Sequence, residues 1–140
     1  MRALGEALAK AGFPGEFIAL FGGLGAGKTT LVRHFAAALG MDAAASPTFT
    51  IVRRYASSLA SIDHFDCYRL ADADELYAVG FEDHLDTGSI IMMEWSENVL
   101  DALPPERLEV HIEGSGEEPR SVNIEAFGAA YESILEGLSL

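Results

Sequence analysis

The chain has 140 residues, enough for one domain with a real core and too few for a phosphate-binding domain joined to a substrate domain. Hydrophobic residues make up 49 % of it, yet no apolar run approaches the roughly 18 residues of a membrane span, and Glu6 and Lys10 interrupt the N-terminus where a signal peptide needs its apolar stretch; a folded, cytoplasmic protein without a membrane anchor is expected. Acidic side chains number 22 against 9 basic ones, a formal net charge of −13 that repels nucleic acid, so contact with tRNA is expected only through a more basic partner.

In chain order, Leu4, Ala7, Leu8 and Ala11 fall at helical spacing within Ala3 to Ala11, and Gly12-Phe13-Pro14-Gly15 breaks the chain after them. Glu16 to Phe21 reads as a buried strand. Residues 22 to 30, GGLGAGKTT, form a glycine-rich turn, and Thr29 to Leu39 follow as a helix. Thr48 to Tyr55 and Ser61 to Tyr68 alternate like the two strands of a hairpin, while Asp72 to Val79 is a short helix with an acidic first turn and Gly80 as its stop. Ser89 to Met93 is a short apolar run expected as a buried parallel strand. After the turn at Pro104-Pro105, Arg107 to Glu113 and Arg120 to Glu125 alternate as strands, and an amphipathic helix from about Ala126 to Glu136 ends at Gly137. The fold class is α/β: a mixed sheet with a parallel centre, flanked by helices. Cys67 is the only cysteine, which excludes an internal disulfide and a CxxC metal site, and it reads as a half-buried strand residue.

Gly22, Gly27, Lys28 and Thr29 occupy the fixed positions of GxxxxGK[ST], and the strand before and helix after are the setting that this phosphate-binding loop requires. Glycines let the backbone turn successive N–H groups of Leu24, Gly25, Ala26 and Gly27 into one concavity, where the positive end of the following helix adds its partial charge. Lys28 then reaches the β and γ phosphates, Thr29 offers a hydroxyl to Mg²⁺, and Thr30 completes the first turn. A nucleoside triphosphate site of the P-loop NTPase class is the expectation.

Magnesium needs carboxylates beyond Thr29, delivered at the carboxyl ends of strands beside the loop. Asp66 in HFDCYR and Glu94 in IIMMEW stand where strands should end. Glu94 is the cleaner candidate, since it closes a buried strand, and Asp66 has a surface reading besides. Asp63 is its rival, but in a strand of period two it lies on the face opposite to 64 and 66, so Asp63 and Asp66 cannot both face one site. His64 shares the face of Asp66 and reads as a satisfied structural histidine, while His34, His84 and His111 show no clustering that indicates a metal. Trp95 either lines the pocket or packs in the core. Ser46-Pro47-Thr48, between the loop helix and a strand, is either a switch segment that senses the γ phosphate or an ordinary capped turn.

GGLGAGKTTLVRHF, SPTFTIVRRY, HFDCYRL and the EW of MMEWSENV resemble, in order and spacing, the motifs of the TsaE (YjeE) family, the bacterial ATPase subunit of tRNA threonylcarbamoyladenosine synthesis. The resemblance runs from Leu4-Gly5 to the C-terminal helix. It implies ATP and Mg²⁺ as cofactors, with Thr29, Asp66 and Glu94 around the metal, Trp95 close to the nucleotide and Ser46-Pro47-Thr48 as a switch. It further implies work with TsaB and TsaD, in which hydrolysis resets the complex between cycles and tRNA is touched only through the partners. Gly23 departs from the Asp frequent in the family, Leu4-Gly5 is implied as a wall of the adenine side, and Arg120 as a contact to nucleotide or partner.

Two other classes share the loop. A small-molecule kinase needs an acceptor pocket and an arginine-bearing lid, and no Arg-rich helical segment of that kind is visible. A nucleotide switch without turnover is the other; the Asn-Lys-x-Asp segment of guanine selectivity does not occur. For a partner-dependent ATPase, a positive group missing from the loop must come from a partner or from Arg53, Arg54 or Arg69, and basal hydrolysis is expected to be slow.

Overall fold

Phe17–Phe21 (β1) is apolar at every position and buried along its whole length, as a central strand covered on both faces must be. In the computed structural model, which describes residues 1–43 and 45–138, β1 lies parallel to two neighbours, Ile90–Glu94 (β4) and Arg107–Glu113 (β5). Ser61–Asp66 (β3) extends the parallel set beyond β4. Val52–Ala56 (β2) and Ser121–Phe127 (β6) close the two edges in antiparallel pairs with β3 and β5, giving the order β2-β3-β4-β1-β5-β6. The expected mixed sheet with a parallel centre is present.

Strand alternation sorts the apolar side chains into two layers. On one face Ile18, Leu20, Ile62, Met92, Leu108 and Val110 pack beneath three helices, Arg2–Ala11 (α1), Lys28–Ala38 (α2) and Ala129–Gly137 (α4). On the other, Phe17, Ala19, Phe65, Ile91 and Met93 meet Ala73–Ala78 (α3), whose N-cap Asp72 accepts the Glu75 N–H, and short 3-10 turns at 81–84 and 100–102. Among the described residues no helix is long and apolar enough to cross a membrane.

Boundaries differ from the sequence reading by more than one residue at three places. Residues 48–50 form a turn closed by Thr50 and Ile51 N–H groups on the Pro47 carbonyl, so β2 starts at Val52 rather than Thr48. Strand β3 ends at Asp66, and Cys67, fully buried just beyond it, has its thiol pushed up to about 12 by burial. The final strand continues to Phe127, pairing as far as Arg107, and delays α4 to Ala129. Pairing with a neighbouring strand overrides the local helical pattern in that last case.

Helix α1 crosses α2 at Gly5, where a Cβ would lie 2.7 Å from the His34 Cβ and 3.0 Å from the Phe35 backbone nitrogen. Gly5→Val is therefore expected to lower stability by about 1–3 kcal/mol through forced separation of the two helices, read from the denaturant midpoint; an unchanged midpoint would show that the crossing tolerates a larger side chain.

Candidate functional site

The turn leaving β1 opens at Gly22 (φ 151°), where a Cβ would meet the Ile112 carbonyl oxygen at 2.6 Å, and closes at Gly27 (φ 111°), the N-cap of α2. Both positions demand glycine, the first for space as well as conformation. Arg120, just ahead of β6, braces the turn from outside: Nε donates to the Ala26 carbonyl at 2.8 Å and a terminal nitrogen to that of Gly25 at 3.1 Å. In a trans peptide the N–H points opposite its carbonyl, so fixing the Ala26 carbonyl aims the Gly27 N–H away from Arg120. Glu97, from a 3-10 turn after β4, accepts the Gly22 N–H at 3.2 Å.

Lys28 begins α2 and is buried. Its ammonium donates to the Gly22 carbonyl and lies 3.5 Å from the centre of the Trp95 ring. Burial pulls its pKa down, and the negative charges of Glu97, Glu94 and Asp66 push the other way. Trp95 reaches this position because its backbone is left-handed (φ 57°, ψ 40°), an uncommon conformation for a bulky residue, which turns the chain sharply at the end of β4.

Parallel pairing of β3 with β4 sets Asp66 opposite Glu94. The Thr29 hydroxyl lies 2.9 and 3.0 Å from the two Glu94 oxygens. Asp66 accepts the Thr48 hydroxyl at 3.2 Å and the Tyr68 N–H at 3.0 Å. Asp63 projects from the opposite face of β3, bound by Arg54 at 2.7 and 3.1 Å and by His84 at 2.7 Å. Burial alone would raise the Asp63 carboxyl, but those two hydrogen-bonded partners outweigh it and hold it below the usual carboxylate range. Asp66, not Asp63, is thus the acid beside the loop. His64 does more than satisfy the core: its Nε2 lies 2.5 Å from Glu94 Oε2 and its Nδ1 2.9 Å from the Tyr55 hydroxyl.

A cavity of about 320 Å³ is lined by residues 24 to 30 together with Thr48, Asp66, Tyr68, Glu94 and Trp95. The loop residues 24 to 30 with Asp66, Glu94 and Trp95, all expected to touch nucleotide or metal, border it. Of the expected switch, Thr48 lines the cavity, Ser46 stands behind it with its hydroxyl 2.8 Å from that of Thr48, and Pro47 is buried. Leu4 and Gly5 are buried against α2 and do not line it, and Arg120 holds the outside of the loop. Among the three arginines considered, Arg54 is engaged by Asp63, Arg69 lies over the Phe49 ring at 4.6 Å, and Arg53 pairs with His64 and so shares the face of Glu94. Tyr68, Glu97 and Tyr55 escaped the sequence reading. Tyr68 sits inside the HFDCYRL motif that could have pointed to it, whereas nothing local marks the other two. His111, read as unclustered, lies beside Glu109 and Glu125, with ligating atoms within 4.8 Å of one another; Arg107 at 2.6 Å and His111 at 2.9 Å already occupy the Glu109 oxygens.

The donor set at the cavity fits a magnesium ion: one hydroxyl and two carboxylates, all hard oxygen ligands. Charge points the same way, since Asp66, Glu94 and Glu97 all act on the one Lys28 ammonium. Several known proteins are similar to this chain over most of its length. The family described as "Threonylcarbamoyl adenosine biosynthesis protein TsaE" matches residues 1–122. A Bacillus subtilis protein named "tRNA threonylcarbamoyladenosine biosynthesis protein TsaE" is 36% identical over 127 residues, covering 90% of this chain and 79% of that protein. One of the same name from Streptomyces coelicolor is 37% identical over 136 residues, 91% of each chain. The crystal structure of YdiB from Bacillus subtilis superimposes with a TM-score of 0.79 and 30% identity, over 96% of this chain and 84% of that one. With the glycine loop between a central strand and its helix, the fold is that of a P-loop NTPase, and the chain belongs to the TsaE family.

Proposed function

We propose that this chain is a Mg²⁺-dependent ATPase subunit of the cytoplasmic machinery for tRNA threonylcarbamoyladenosine modification, slow alone and stimulated by TsaB and TsaD, its hydrolysis resetting their complex between cycles. The observation that carries the ATPase reading is the in-register pair Asp66 and Glu94 beside the Thr29 hydroxyl, at the foot of a GGLGAGKT loop. The names of the relatives support the pathway, and a net charge of −13 supports contact with tRNA through partners rather than directly.

Loop amides and Lys28 would hold the phosphates, Lys28 exchanging the Gly22 carbonyl and the Trp95 face for phosphate oxygens. Thr29, Asp66 and Glu94 would hold Mg²⁺, which when bound supplies positive charge to the phosphate oxygens. Asp66 or Glu94, through a carboxylate oxygen that the metal leaves free, would also orient a water, and Thr48 joins the switch segment to Asp66. The loop supplies one cation, Lys28, so a further positive group from a partner or from Arg53 would speed hydrolysis.

Trp95 is the only tryptophan, which makes its emission a direct report on Lys28. ATP with Mg²⁺ should change that emission, and Lys28→Ala should weaken ATP binding by about tenfold or more, as loss of a charge-assisted phosphate contact does. Turnover measured with and without TsaB and TsaD should differ strongly. Equal rates would remove partner dependence, and undiminished ATP binding by the Lys28 variant would remove the phosphate role of the loop.

A further inference from the structure

Two connections leave the segment 45–48, and each ends on one of the strand-end acids. At one end the Ala45 carbonyl can only accept, so the Tyr55 hydroxyl donates to it at 2.5 Å and its oxygen accepts a hydrogen bond from the Nδ1–H of His64 at 2.9 Å. His64 Nε2 then meets Glu94 Oε2 at 2.5 Å. At the other end the Thr48 hydroxyl reaches Asp66 at 3.2 Å, with Ser46 at 2.8 Å behind it. Tyr55 is 6% exposed, His64 1% and Glu94 3%, so water does not compete between Tyr55 and Glu94.

We infer that Tyr55 and His64 are positioning residues that tie segment 45–48 to Glu94 while Thr48 ties it to Asp66, so that both acids take their places together with this segment. The inference rests on the ATPase reading only for its consequence in catalysis. A histidine and tyrosine that merely satisfied each other in the core would have no reason to span from a loop carbonyl to the carboxylate that faces Thr29. Strand geometry makes the span possible: Tyr55 lies opposite Ile62, two residues before His64 and on the same face, and Met92, two before Glu94, is the partner of His64.

The backbone just after the segment is held as well. Ile51 has φ 71°, a left-handed conformation that a β-branched residue adopts only under constraint. Its N–H donates to the Pro47 carbonyl at 2.7 Å, and its carbonyl accepts the Asp66 N–H at 2.8 Å. Asp66 is therefore attached to this stretch through backbone and side chain alike.

The full chain, as wild type, Tyr55→Phe, Thr48→Ala and the double variant, tests this in two ways: Mg²⁺ titration of the Trp95 response to ATP, and steady-state turnover with TsaB and TsaD. Tyr55→Phe is expected to raise the Mg²⁺ needed for a half-maximal response by about threefold or more and to lower kcat about tenfold, with KM for ATP within about twofold. The double variant should lose little more than the worse single one, rather than the product of about a hundredfold that independent sites would give. His64→Gln, which keeps a donor toward Glu94 without the link to Tyr55, should repeat the Tyr55→Phe result. A lowered unfolding midpoint with an unchanged Mg²⁺ response and kcat would reduce Tyr55 and His64 to core packing and overturn the inference, as would multiplying losses. Absent wild-type turnover with TsaB and TsaD would overturn the ATPase reading alone, because the Mg²⁺ titration still decides the coupling; no Trp95 response to ATP in the wild type would overturn both.

Discussion

Glu94→Gln is expected to cut ATP turnover by about two to three orders of magnitude with little change in the unfolding midpoint. Glutamine has the shape of glutamate and keeps an oxygen for Thr29 and His64, so the buried network loses charge rather than contact. What disappears is the negative charge at the end of β4, opposite Asp66 and beside Thr29, where the proposed reaction needs Mg²⁺ held or a water oriented. Glu94→Ala is a poorer variant because it strands the His64 nitrogen in a buried site, at a cost of about 1–3 kcal/mol that would mix folding with chemistry. Rates of the purified chain with TsaB and TsaD, paired with thermal unfolding, separate the two effects. Turnover of Glu94→Gln equal to the wild type would take Glu94 out of the reaction.

Glu16→Gln is expected to change the pH dependence of stability. Glu16 enters β1 fully buried; its Oε2 accepts the Phe13 N–H at 2.9 Å, and its Oε1 has no hydrogen-bond partner among the described residues. Gly12 makes the room, since a Cβ there would lie 2.6 and 2.7 Å from the two carboxyl oxygens. Burial pushes this carboxyl up to about 7, the Phe13 hydrogen bond opposing only in part. A folded-state pKa above the unfolded one means that the folded chain binds more protons between pH 4.5 and about 7, so stability falls as pH rises through that window. The displacement from 4.5 to about 7 corresponds to a loss of at most about 3 kcal/mol. Glutamine does not titrate, and the variant should be the more stable protein at pH 8 by about 1–3 kcal/mol, with the advantage vanishing toward pH 4. Urea midpoints at both pH values measure it. An advantage that persisted unchanged at pH 4 would mean that Glu16 is not the titrating group.

The loop, its lysine and the two acids were legible because their chemistry depends on local pattern. A buried strand followed by GGLGAGKT has one common use, and a strand of period two decides by counting that Asp66 and Asp63 point apart. Boundaries were less legible where pairing competes with propensity, as at Phe127, whose cross-strand partner Arg107 extends β6 into what reads as helix.

By itself, then, the sequence determined the class of site, most of the residues that border the cavity and the covering of a mixed sheet by helices, since glycine spacing, apolar alternation and acids at strand ends act over a few residues each. Only the tertiary structure decided that Arg120 braces the loop from 94 residues away, that Glu97 receives the Gly22 N–H, and that Tyr55 and His64 connect the Ala45 carbonyl to Glu94. Those contacts depend on strand register and on the order β2-β3-β4-β1-β5-β6, which bring together residues distant in sequence. A hydrogen bond needs its partners within about 3 Å, and no periodicity along the chain encodes a distance across a sheet.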